Sequence, residues 1–405
     1  MQRITVVGGG IVGLSSAVAL AHAGYVVSVF EVDATRNAAS WGNAGHIATE
    51  QVAPLSSPAS LRSAPGRLFS RGGALDLPLA MIRHWLPFAL RMLCASTPAR
   101  FAQGRAALAP LLASALPAWQ RLAAAIGAPE LISTEGHFVL WESADSARRG
   151  RAAWHAADTG TATFRDATMA ELDAIDAING TPYLDGIRFA GSGQITDLGE
   201  LATALERALL AAGGRIVRET ALITVIDGMA SVVGIDSDLV LIAAGARSGA
   251  LIRAAGHKVP LIAERGYHIR AAADAWPAEL PPIVFEDRSM IVTRYRDQVQ
   301  AASFVEFGAA DAAPDAAKWR RLEQHVAALG LPLTGPFTRW IGARPTLPDY
   351  LPAIGRSLRA GNLLYAFGHQ HLGLTLAPIT AELVVALAQG VAPAIDLAAF
   401  DVERF

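Results

Sequence analysis

Near its start the chain has two short apolar runs, residues 4–7 and 25–30, separated by a stretch in which small and apolar residues follow helical spacing. This order predicts strand, helix and strand. Three glycines mark the passage from the first strand into the helix: Gly8, Gly10 and Gly13. Such glycines allow a tight turn and a close approach of backbone to a pyrophosphate, and Glu31 is placed to accept hydrogen bonds from a ribose. The pattern predicts a dinucleotide site; an ordinary strand-to-helix turn is the alternative.

Two later segments carry the strands and helices that complete the same fold. Residues 197–214 have apolar positions at helical spacing, with Asp197 as candidate N-cap and glycines at the C-terminal end, and a strand follows. Residues 238–248 predict a buried parallel strand that runs into a small-residue turn. Residues 362–368 predict a further strand, followed by a helix over 377–388. We therefore predict a nucleotide-binding domain assembled from three pieces, residues 1–60, 195–250 and 340–405.

The intervening segments, residues 61–194 and 251–339, have a different character. The first combines helix-like stretches with an alternating strand at 136–141 and an edge-like strand at 186–189, and the second carries short alternating strands. Such strands with turn signals are typical of an antiparallel sheet. The predicted fold class is α/β: a discontinuous Rossmann-like domain with an interleaved α+β substrate-binding domain built on a mostly antiparallel sheet.

Composition narrows the range of partners. The 405 residues are 52% hydrophobic and 17% charged, enough to bury the cores of about two domains. A net charge of -2 argues against a nucleic-acid partner. Cys94 is the single cysteine, so we expect no disulfide framework and no cysteine cluster for zinc or iron–sulfur ligation. No metal site is predicted. Lys258 and Lys318 are the only lysines, which argues against Schiff-base catalysis.

The N-terminal run is apolar enough to imitate a secretory signal, but it lacks a basic cluster and a cleavage site and is rich in glycine. We find no apolar run that reaches the roughly 20 residues needed to span a bilayer. The expectation is a soluble or peripheral protein of a reducing compartment that starts at its functional N-terminus.

The chain resembles the D-amino-acid oxidase/dehydrogenase superfamily of FAD proteins, and most closely the D-amino-acid dehydrogenases. Besides the N-terminal glycine motif with Glu31, four segments carry the resemblance in the same order: residues 40–47, 241–248, 342–355 and 367–375. Together they span nearly the whole chain and imply FAD, whereas a plain NAD-dependent dehydrogenase would explain only the first motif. FAD is expected to be noncovalent, since no cysteine lies in the C-terminal flavin-binding region where some relatives attach it.

The resemblance also implies the cofactor contacts. The small-residue loop at 40–47, otherwise a surface turn, would offer backbone groups to the flavin, and a helix N-terminus near residue 373 would stabilise the anionic reduced flavin. Leu222, on the strand after residues 215–218, would pack near the adenine. The expected cofactor-binding residues are Gly8, Gly10, Ile11, Val12, Gly13, Glu31, Val32, Ser40, Asn43, Ala44, Gly45, His46, Ile47, Leu222, Ala244, Gly245, Gly368, Leu372, Gly373, Leu374 and Thr375.

Arg344 is the residue expected to bind substrate, because a guanidinium matches a carboxylate through two parallel hydrogen bonds. A structural ion pair with Asp349 is the alternative. Weaker candidates for the pocket lie on two strands of the second domain: Tyr267, His268, Arg294 and Tyr295.

The segment His369-Gln370-His371 departs from the smaller residues that many D-amino-acid dehydrogenases carry here, and we expect it to narrow the pocket. A structural role is the alternative for each histidine, as it is for His46. The expected catalytic set is Arg344, His371, His369, Tyr267 and His46.

The reaction that the resemblance implies is hydride transfer from the substrate Cα to flavin N5, which leaves an imine. The segment 369–371 is similar to the subgroup acting on D-hydroxyproline, so cis-4-hydroxy-D-proline or D-proline is the expected substrate. The runner-up is a sarcosine- or glycine-oxidase-like enzyme that uses O2, and a non-catalytic subunit of a larger complex is a further alternative.

Residues 77–93 are apolar with interspersed arginine and histidine, and resemble an interfacial element of a quinone-linked dehydrogenase. A core helix of the substrate domain is the alternative. We therefore expect a quinone-type electron acceptor, and a protein that lies in the cytoplasm or at the inner face of a bacterial plasma membrane. A homo- or hetero-oligomer is a separate expectation, since some relatives form such assemblies.

Overall fold

The computed structural model describes residues 1–178 and 185–405. Its strands are β1 (Arg3–Val7), β2 (Val26–Phe30), β3 (His46–Ile47), β4 (Leu75–Asp76), β5 (Ile132–Ser133), β6 (His137–Trp141), β7 (Thr163–Asp166), β8 (Asp185–Ala190), β9 (Gly193–Ile195), β10 (Arg215–Val217), β11 (Ile223–Ile226), β12 (Met229–Val232), β13 (Leu239–Ile242), β14 (Ile262–Ala272), β15 (Ile283–Phe285), β16 (Met290–Arg294), β17 (Gln298–Gly308), β18 (Thr338–Thr346), β19 (Ala353–Arg356) and β20 (Leu363–Phe367). Its α-helices are α1 (Ile11–His22), α2 (Pro58–Ser63), α3 (Ile82–Ala95), α4 (Pro98–Ala125), α5 (Ala144–Ala156), α6 (Met169–Asp176), α7 (Leu198–Ala211), α8 (Ser248–Ala254), α9 (Ala316–Ala328) and α10 (Gly373–Gln389).

A six-stranded sheet with the order β10-β2-β1-β13-β20-β19 brings the three predicted pieces together. All neighbouring strands are parallel except β19 and β20. The central strands are apolar along their length because both faces of the sheet are covered. One core packs α1 and α7 against the sheet, and a second core covers the other face.

The second sheet has nine strands, with the order β18-β14-β17-β16-β15-β6-β8-β7 and β4 alongside β17. It is mostly antiparallel, as predicted; β15 with β6 and β17 with β4 are parallel. Two predicted short strands, β14 and β17, are 11 residues long. The edge assignment for residues 186–189 is wrong, because β8 lies between β6 and β7 and its Ile187 and Phe189 are fully buried.

The chain passes between the two sheets close to the predicted boundary at residue 340. Strand β18 pairs with β14 along its whole length, whereas β19 belongs to the six-stranded sheet. Residues 340–346 therefore lie in the nine-stranded sheet, and Arg344 with them. A three-stranded sheet of β3, β9 and β5 joins the loop after β2 to the segments around β6.

The helix predicted after Asp197 and the helix predicted over 377–388 both form, the second with a different length. Asp197 caps α7 by accepting a hydrogen bond from the Glu200 amide at 2.8 Å. Helix α10 begins at Gly373, four residues before the predicted start, and carries Pro378 inside it. A proline there has no amide for the Leu374 carbonyl. The Trp119 indole donates to that carbonyl instead, at 3.0 Å, so the helix continues through the proline.

The expectation that no apolar run could span a bilayer is wrong by length and composition, since Gln370–Gln389 is a 20-residue apolar helical stretch. The fold accounts for it differently: 67% of its most apolar window is buried inside the protein, as in the core helix of a globular domain.

Candidate active site

The glycine turn between β1 and α1 has the geometry of a phosphate cradle. Gly8 has a φ of 115°, and a Cβ on it would lie 2.4 Å from the Ala243 carbonyl oxygen. A Cβ on Gly13 would lie 1.9 Å from the Gly8 carbonyl oxygen. The N-cap residue Gly10 has no side chain to cap α1, and of the first-turn amides that of Ile11 bonds to the Ser40 hydroxyl. The turn therefore admits only glycine at positions 8 and 13, and the remaining first-turn amides are left to a ligand such as the pyrophosphate of FAD.

Glu31 lies beside this turn, at the end of β2. Its carboxylate accepts hydrogen bonds from the amides of Gly9 and Asp33, each at 2.7 Å. A Cβ on Gly9 would lie 2.7 Å from the Glu31 Cβ, so Gly9 belongs to the cradle although the sequence pattern did not single it out. Val32 and Leu222 are 46% and 62% exposed, and the contact of Leu222 with adenine stays a prediction.

The loop at 40–47 spans from the glycine turn to the nine-stranded sheet. At one end the Ser40 hydroxyl accepts from the Ile11 amide at 3.0 Å. In the middle, the Asn43 carbonyl accepts from the Tyr295 hydroxyl at 2.6 Å and from the Gln300 side-chain amide at 3.0 Å. Gly45 has a φ of 74°, and a Cβ there would touch the Tyr295 ring. Sheet residues thus fix the loop, whereas a free surface turn would have no such partners.

The start of α10 completes the surroundings of this loop. The Thr375 hydroxyl accepts from the Ala48 amide at 3.0 Å, next to His46 and Ile47 of β3. The remaining predicted cofactor residues sit at the ends of β13 and β20 or in the first turn of α10, at Ala244, Gly245, Gly368, Leu372, Gly373 and Leu374. The start of α10 and residues of the nine-stranded sheet therefore meet at the loop, which fits the flavin part of FAD.

Arg344 lies on the face of β18 that carries the site. Its Nη1 donates to Glu264 Oε1 and to the Phe304 carbonyl, both at 3.2 Å. Its side chain is 27% exposed, whereas Glu264 is almost completely buried. The alternative pairing with Asp349 is wrong, because Asp349 pairs with Arg404 at 2.6 Å. Nη2 and Nε of Arg344 have no hydrogen-bond partner within the described part of the chain, so these donors are available to a carboxylate.

The buried carboxylate of Glu264 holds the Arg344 guanidinium from the side of the protein interior. Its second oxygen accepts from the Thr346 hydroxyl at 3.2 Å and from the Tyr350 hydroxyl at 3.1 Å. Burial and the neighbouring carboxylate raise the pKa of Tyr350 well above its usual value, so its hydroxyl stays protonated and donates. A Cβ on Gly266 would lie 2.3 Å from Arg344 Nη2, so the glycine makes room for the guanidinium. Sequence reasoning missed both Glu264 and Gly266.

His371 is the one member of the 369–371 segment that reaches this region. Its Nε2 donates to Gln51 Oε1 at 2.5 Å. Burial lowers the pKa of His371 to about 4, with the charge of Arg344 acting in the same direction and Glu264 opposing it. The imidazole is therefore neutral at physiological pH, with Arg344 and Glu264 near enough to influence its charge.

The two neighbours of His371 face the core, which corrects the prediction that all three residues narrow the pocket. His369 is 2% exposed and bonds through Nε2 to the Thr380 hydroxyl at 3.1 Å, and burial lowers its pKa to about 3. Gln370, with a φ of 46°, donates to the Tyr350 carbonyl at 2.9 Å. Its burial and its bond to Thr380 favour the structural alternative for His369, and its catalytic role stays a prediction.

Tyr267 is also placed away from Arg344, on the opposite face of β14. Its hydroxyl donates to Glu306 at 3.1 Å and accepts from the Asp315 amide at 3.1 Å, and its ring packs on Trp319. Its neighbour His268 faces the site instead and bonds through Nδ1 to the Gly42 carbonyl at 3.0 Å. Strand alternation therefore assigns His268, and not Tyr267, to the side of the flavin loop.

His46 points from the flavin loop toward β6. Its Nε2 is 3.6 Å from Glu50 Oε2, and its ring centroid is 4.4 Å from that of His137. Its expected role against the flavin stays a prediction, because its side chain lies beside Glu50 and His137.

Comparisons with known proteins agree with this geometry. Residues 3–387 match the family model described as FAD dependent oxidoreductase. The chain is 31% identical to a D-amino-acid oxidase of Bradyrhizobium diazoefficiens and 26% identical to D-amino acid dehydrogenase 1 of Mesorhizobium japonicum. The first alignment covers 100% of this chain and 99% of the relative, and the second covers 100% of both. Glycine oxidase from Geobacillus kaustophilus has a similar structure, with a TM-score of 0.74 at 20% identity and full coverage of both chains.

The chain belongs to the family of FAD-dependent oxidoreductases that contains the D-amino-acid oxidases and dehydrogenases. FAD is its cofactor, and the fold is the mixed α/β fold of these flavoenzymes.

We expect Glu264→Gln to raise the KM for substrate roughly fivefold while FAD stays bound. The amide keeps the shape of the carboxylate but loses its charge, and charged hydrogen bonds exceed neutral ones by about 1 kcal/mol. Steady-state kinetics on the flavin-replete variant measures this. Glu323→Gln is the matched control, because Glu323 accepts from Arg339 at the surface. An unchanged or lower KM would show that Glu264 competes with substrate for Arg344 and does not position it.

Proposed function

We propose that the protein oxidises a small D-amino or D-imino acid, with cis-4-hydroxy-D-proline or D-proline as the favoured substrate. The observation that carries the proposal is the position of Arg344. Its Nη1 is held by Glu264, whereas Nη2 and Nε have no partner within the described residues. FAD, when bound, supplies the acceptor for the hydride that leaves the substrate Cα.

Arg344 binds the substrate carboxylate, and its fixed position selects which Cα hydrogen is presented. Because Glu264 and the Phe304 carbonyl hold Nη1, the guanidinium has one orientation before substrate arrives, so little rotational freedom is lost on binding. Two parallel hydrogen bonds then orient the carboxylate plane. With one end of the substrate held in this way, only one configuration at Cα places its hydrogen toward the cofactor.

The pair His371 and Gln51 supports the preference for a hydroxylated ring. The two side chains share one hydrogen bond, which leaves the second imidazole nitrogen and the Gln51 amide group for a substrate hydroxyl. A neutral imidazole also avoids repelling the substrate amine. A substrate without the hydroxyl would leave these groups unpaired, which is how a polar site rejects a smaller analogue.

A quinone-type acceptor at a membrane surface is the second part of the proposal, and α3 with its preceding turn supports it. This segment exposes five large apolar side chains at helical spacing, the apolar α3 face: Leu79, Ile82, Leu86, Leu90 and Leu93, between 40% and 80% exposed. Arg83 and Arg91 flank it, and the sequence has no acidic residue between Asp76 and Glu130. An apolar face with a basic border suits the surface of an anionic bilayer, which would hold the protein at the inner face of the plasma membrane.

We expect the protein to bind vesicles that contain phosphatidylglycerol and to bind phosphatidylcholine vesicles more weakly. Leu90→Glu should lower the affinity for vesicles that contain phosphatidylglycerol about tenfold or more, because burial of one leucine contributes about 1.5–3 kcal/mol. Co-sedimentation measures this, and Leu358→Glu is the control, since Leu358 is 82% exposed outside the apolar α3 face. Equal binding by both variants would assign the apolar α3 face to something other than lipid.

Turnover of the isolated chain tests the function and its electron acceptor together. With D-proline as substrate, reduction of a soluble quinone analogue should exceed O2 consumption. O2 consumption as the faster reaction would favour an oxidase, as the name of the Bradyrhizobium relative indicates for that protein. Absence of turnover with every acceptor, in protein that carries FAD, would favour a subunit that needs a partner.

A further inference from the structure

Three side chains meet in the interior, two from different sheets and one from the turn after β3. His46 lies on β3, Glu50 follows four residues later, and His137 begins β6. One potential ligand atom from each lies within 4.8 Å of the others. Glu50 and His137 are 4% and 2% exposed, and the His46 side chain is 9% exposed.

Two of these atoms have no hydrogen-bond partner in the described structure: His46 Nε2 and Glu50 Oε2. They face each other at 3.6 Å, beyond hydrogen-bond distance. An unpartnered carboxylate oxygen in the interior is costly, because burial removes the water that would solvate it. A group placed between these atoms would remove that cost.

His137 is held in the way that metal-binding histidines are held. Its Nδ1 bonds to the Ser192 hydroxyl at 2.8 Å, and its ring stacks on Phe189 with a centroid distance of 4.5 Å and an interplanar angle of 5°. A hydrogen bond at one ring nitrogen fixes the tautomer and leaves the other nitrogen as a ligand. Ser192 itself is fully buried, so this outer contact is part of a built site.

We propose that His46, Glu50 and His137 bind a zinc ion. Two imidazoles and one carboxylate are a ligand set that suits zinc, whereas calcium and magnesium prefer oxygen ligands alone. Zinc holds such ligands at about 2.0–2.2 Å in a tetrahedron, which places ligand atoms about 3.4 Å apart. The His46–Glu50 separation of 3.6 Å already fits, and the other separations, which are at most 4.8 Å, need to shorten by at most about 1.4 Å. A water molecule would complete the tetrahedron.

The ion would join the flavin loop to the second domain. His46 belongs to the loop that the nine-stranded sheet fixes at Asn43, and His137 belongs to that sheet. Glu50 precedes Gln51, the partner of His371. Zinc would therefore stabilise the position of the loop and of the His371 side chain, without taking part in the oxidation. This inference does not depend on the identity of the substrate.

The test is zinc binding by the FAD-loaded protein after dialysis against a chelator. Isothermal titration with zinc alone, followed by elemental analysis of the desalted protein, should give one ion per chain. Glu50→Gln and His137→Ala should lose this ion, and Ser192→Ala should bind it roughly 10- to 100-fold more weakly. His155→Ala is the control, because His155 is exposed outside the cluster. Thermal stability of the wild-type protein should rise with added zinc.

Wild-type protein that binds no zinc, or binds it no better than the Glu50→Gln variant, would overturn the proposal and leave the cluster as a metal-free histidine–glutamate contact. Should Glu50→Gln or His137→Ala fail to fold, the wild-type titration and the Ser192→Ala variant decide: unchanged affinity in Ser192→Ala contradicts the site as described. Cobalt substitution adds a direct readout, since a tetrahedral site with nitrogen ligands gives visible absorption that differs from cobalt in water.

Discussion

Arg344→Ala is expected to leave FAD bound and to weaken substrate binding or flavin reduction by roughly 10- to 150-fold. The substitution removes the charge-assisted contact with the substrate carboxylate, and the loss of such a contact costs about 1.5–3 kcal/mol. It also leaves Glu264 buried without its cation, so the two remaining donors, Thr346 and Tyr350, must hold the carboxylate alone. Arg344→Lys keeps the positive charge but cannot form two parallel hydrogen bonds, so its rate of flavin reduction should lie between those of the wild type and Arg344→Ala.

The control for Arg344 lies on the same strand. Arg339 pairs with Glu323 at the surface at 2.7 Å, and its side chain is 47% exposed. Arg339→Ala should therefore keep wild-type kinetics and nearly wild-type stability, because exposed ion pairs contribute little. Anaerobic rapid mixing gives the reduction rate and its dependence on substrate concentration for both variants. Equal kinetics in flavin-replete Arg344→Ala and Arg339→Ala would assign Arg344 to structure.

Gly13→Ala is expected to lower FAD affinity at least about tenfold and to destabilise the fold. The new Cβ would lie 1.9 Å from the Gly8 carbonyl oxygen and 3.6 Å from the Ala243 Cβ, so it meets backbone that cannot move without opening the cradle. Overpacking of this kind costs about 1–3 kcal/mol and occasionally more. The ratio of flavin to protein after gel filtration measures the loss, and circular dichroism shows whether the chain is folded.

Gly66→Ala is the matched control for the cradle, because a Cβ at Gly66 meets nothing within 4 Å and its φ lies outside the left-handed region. It should retain FAD at the wild-type ratio. A Gly13→Ala protein that folds and carries the same FAD content as Gly66→Ala would contradict the assignment of this turn as the pyrophosphate site.

Local signals predicted much of the fold. The glycines of the first turn, the Asp197 cap and the apolar runs of β1 and β13 each specify a conformation within a few residues, and the structure confirms them. The prediction fails where distant residues decide. Helix α10 extends through Pro378 because an indole 255 residues away satisfies the Leu374 carbonyl. Strand β8 is internal because β7 pairs along its other side.

The site shows the same division. Arg344 was predicted from the chemistry of a guanidinium, but its partner Glu264 lies 80 residues earlier, and no local pattern links the two. Tyr267 was selected with His268 because both are polar on one strand; the structure separates them, since neighbours on a strand face opposite sides. The chemistry of His369 suggests a place in the pocket, but the structure buries its side chain and bonds it to Thr380 of α10. Pairing and facing depend on the tertiary fold, which the sequence pattern does not specify.

The most direct test of the proposed function is the anaerobic reduction of oxidised flavin in the wild-type protein, measured by rapid mixing with one substrate at a time. cis-4-Hydroxy-D-proline and D-proline should bleach the visible flavin absorbance faster than D-alanine, and L-proline should not bleach it. Arg344 holds the carboxylate, so only one configuration at Cα presents its hydrogen to the cofactor, which the proposed function takes to be D, and the His371–Gln51 pair favours the ring hydroxyl. Faster reduction by L-proline or by sarcosine would contradict the account and favour a sarcosine- or glycine-oxidase-like enzyme.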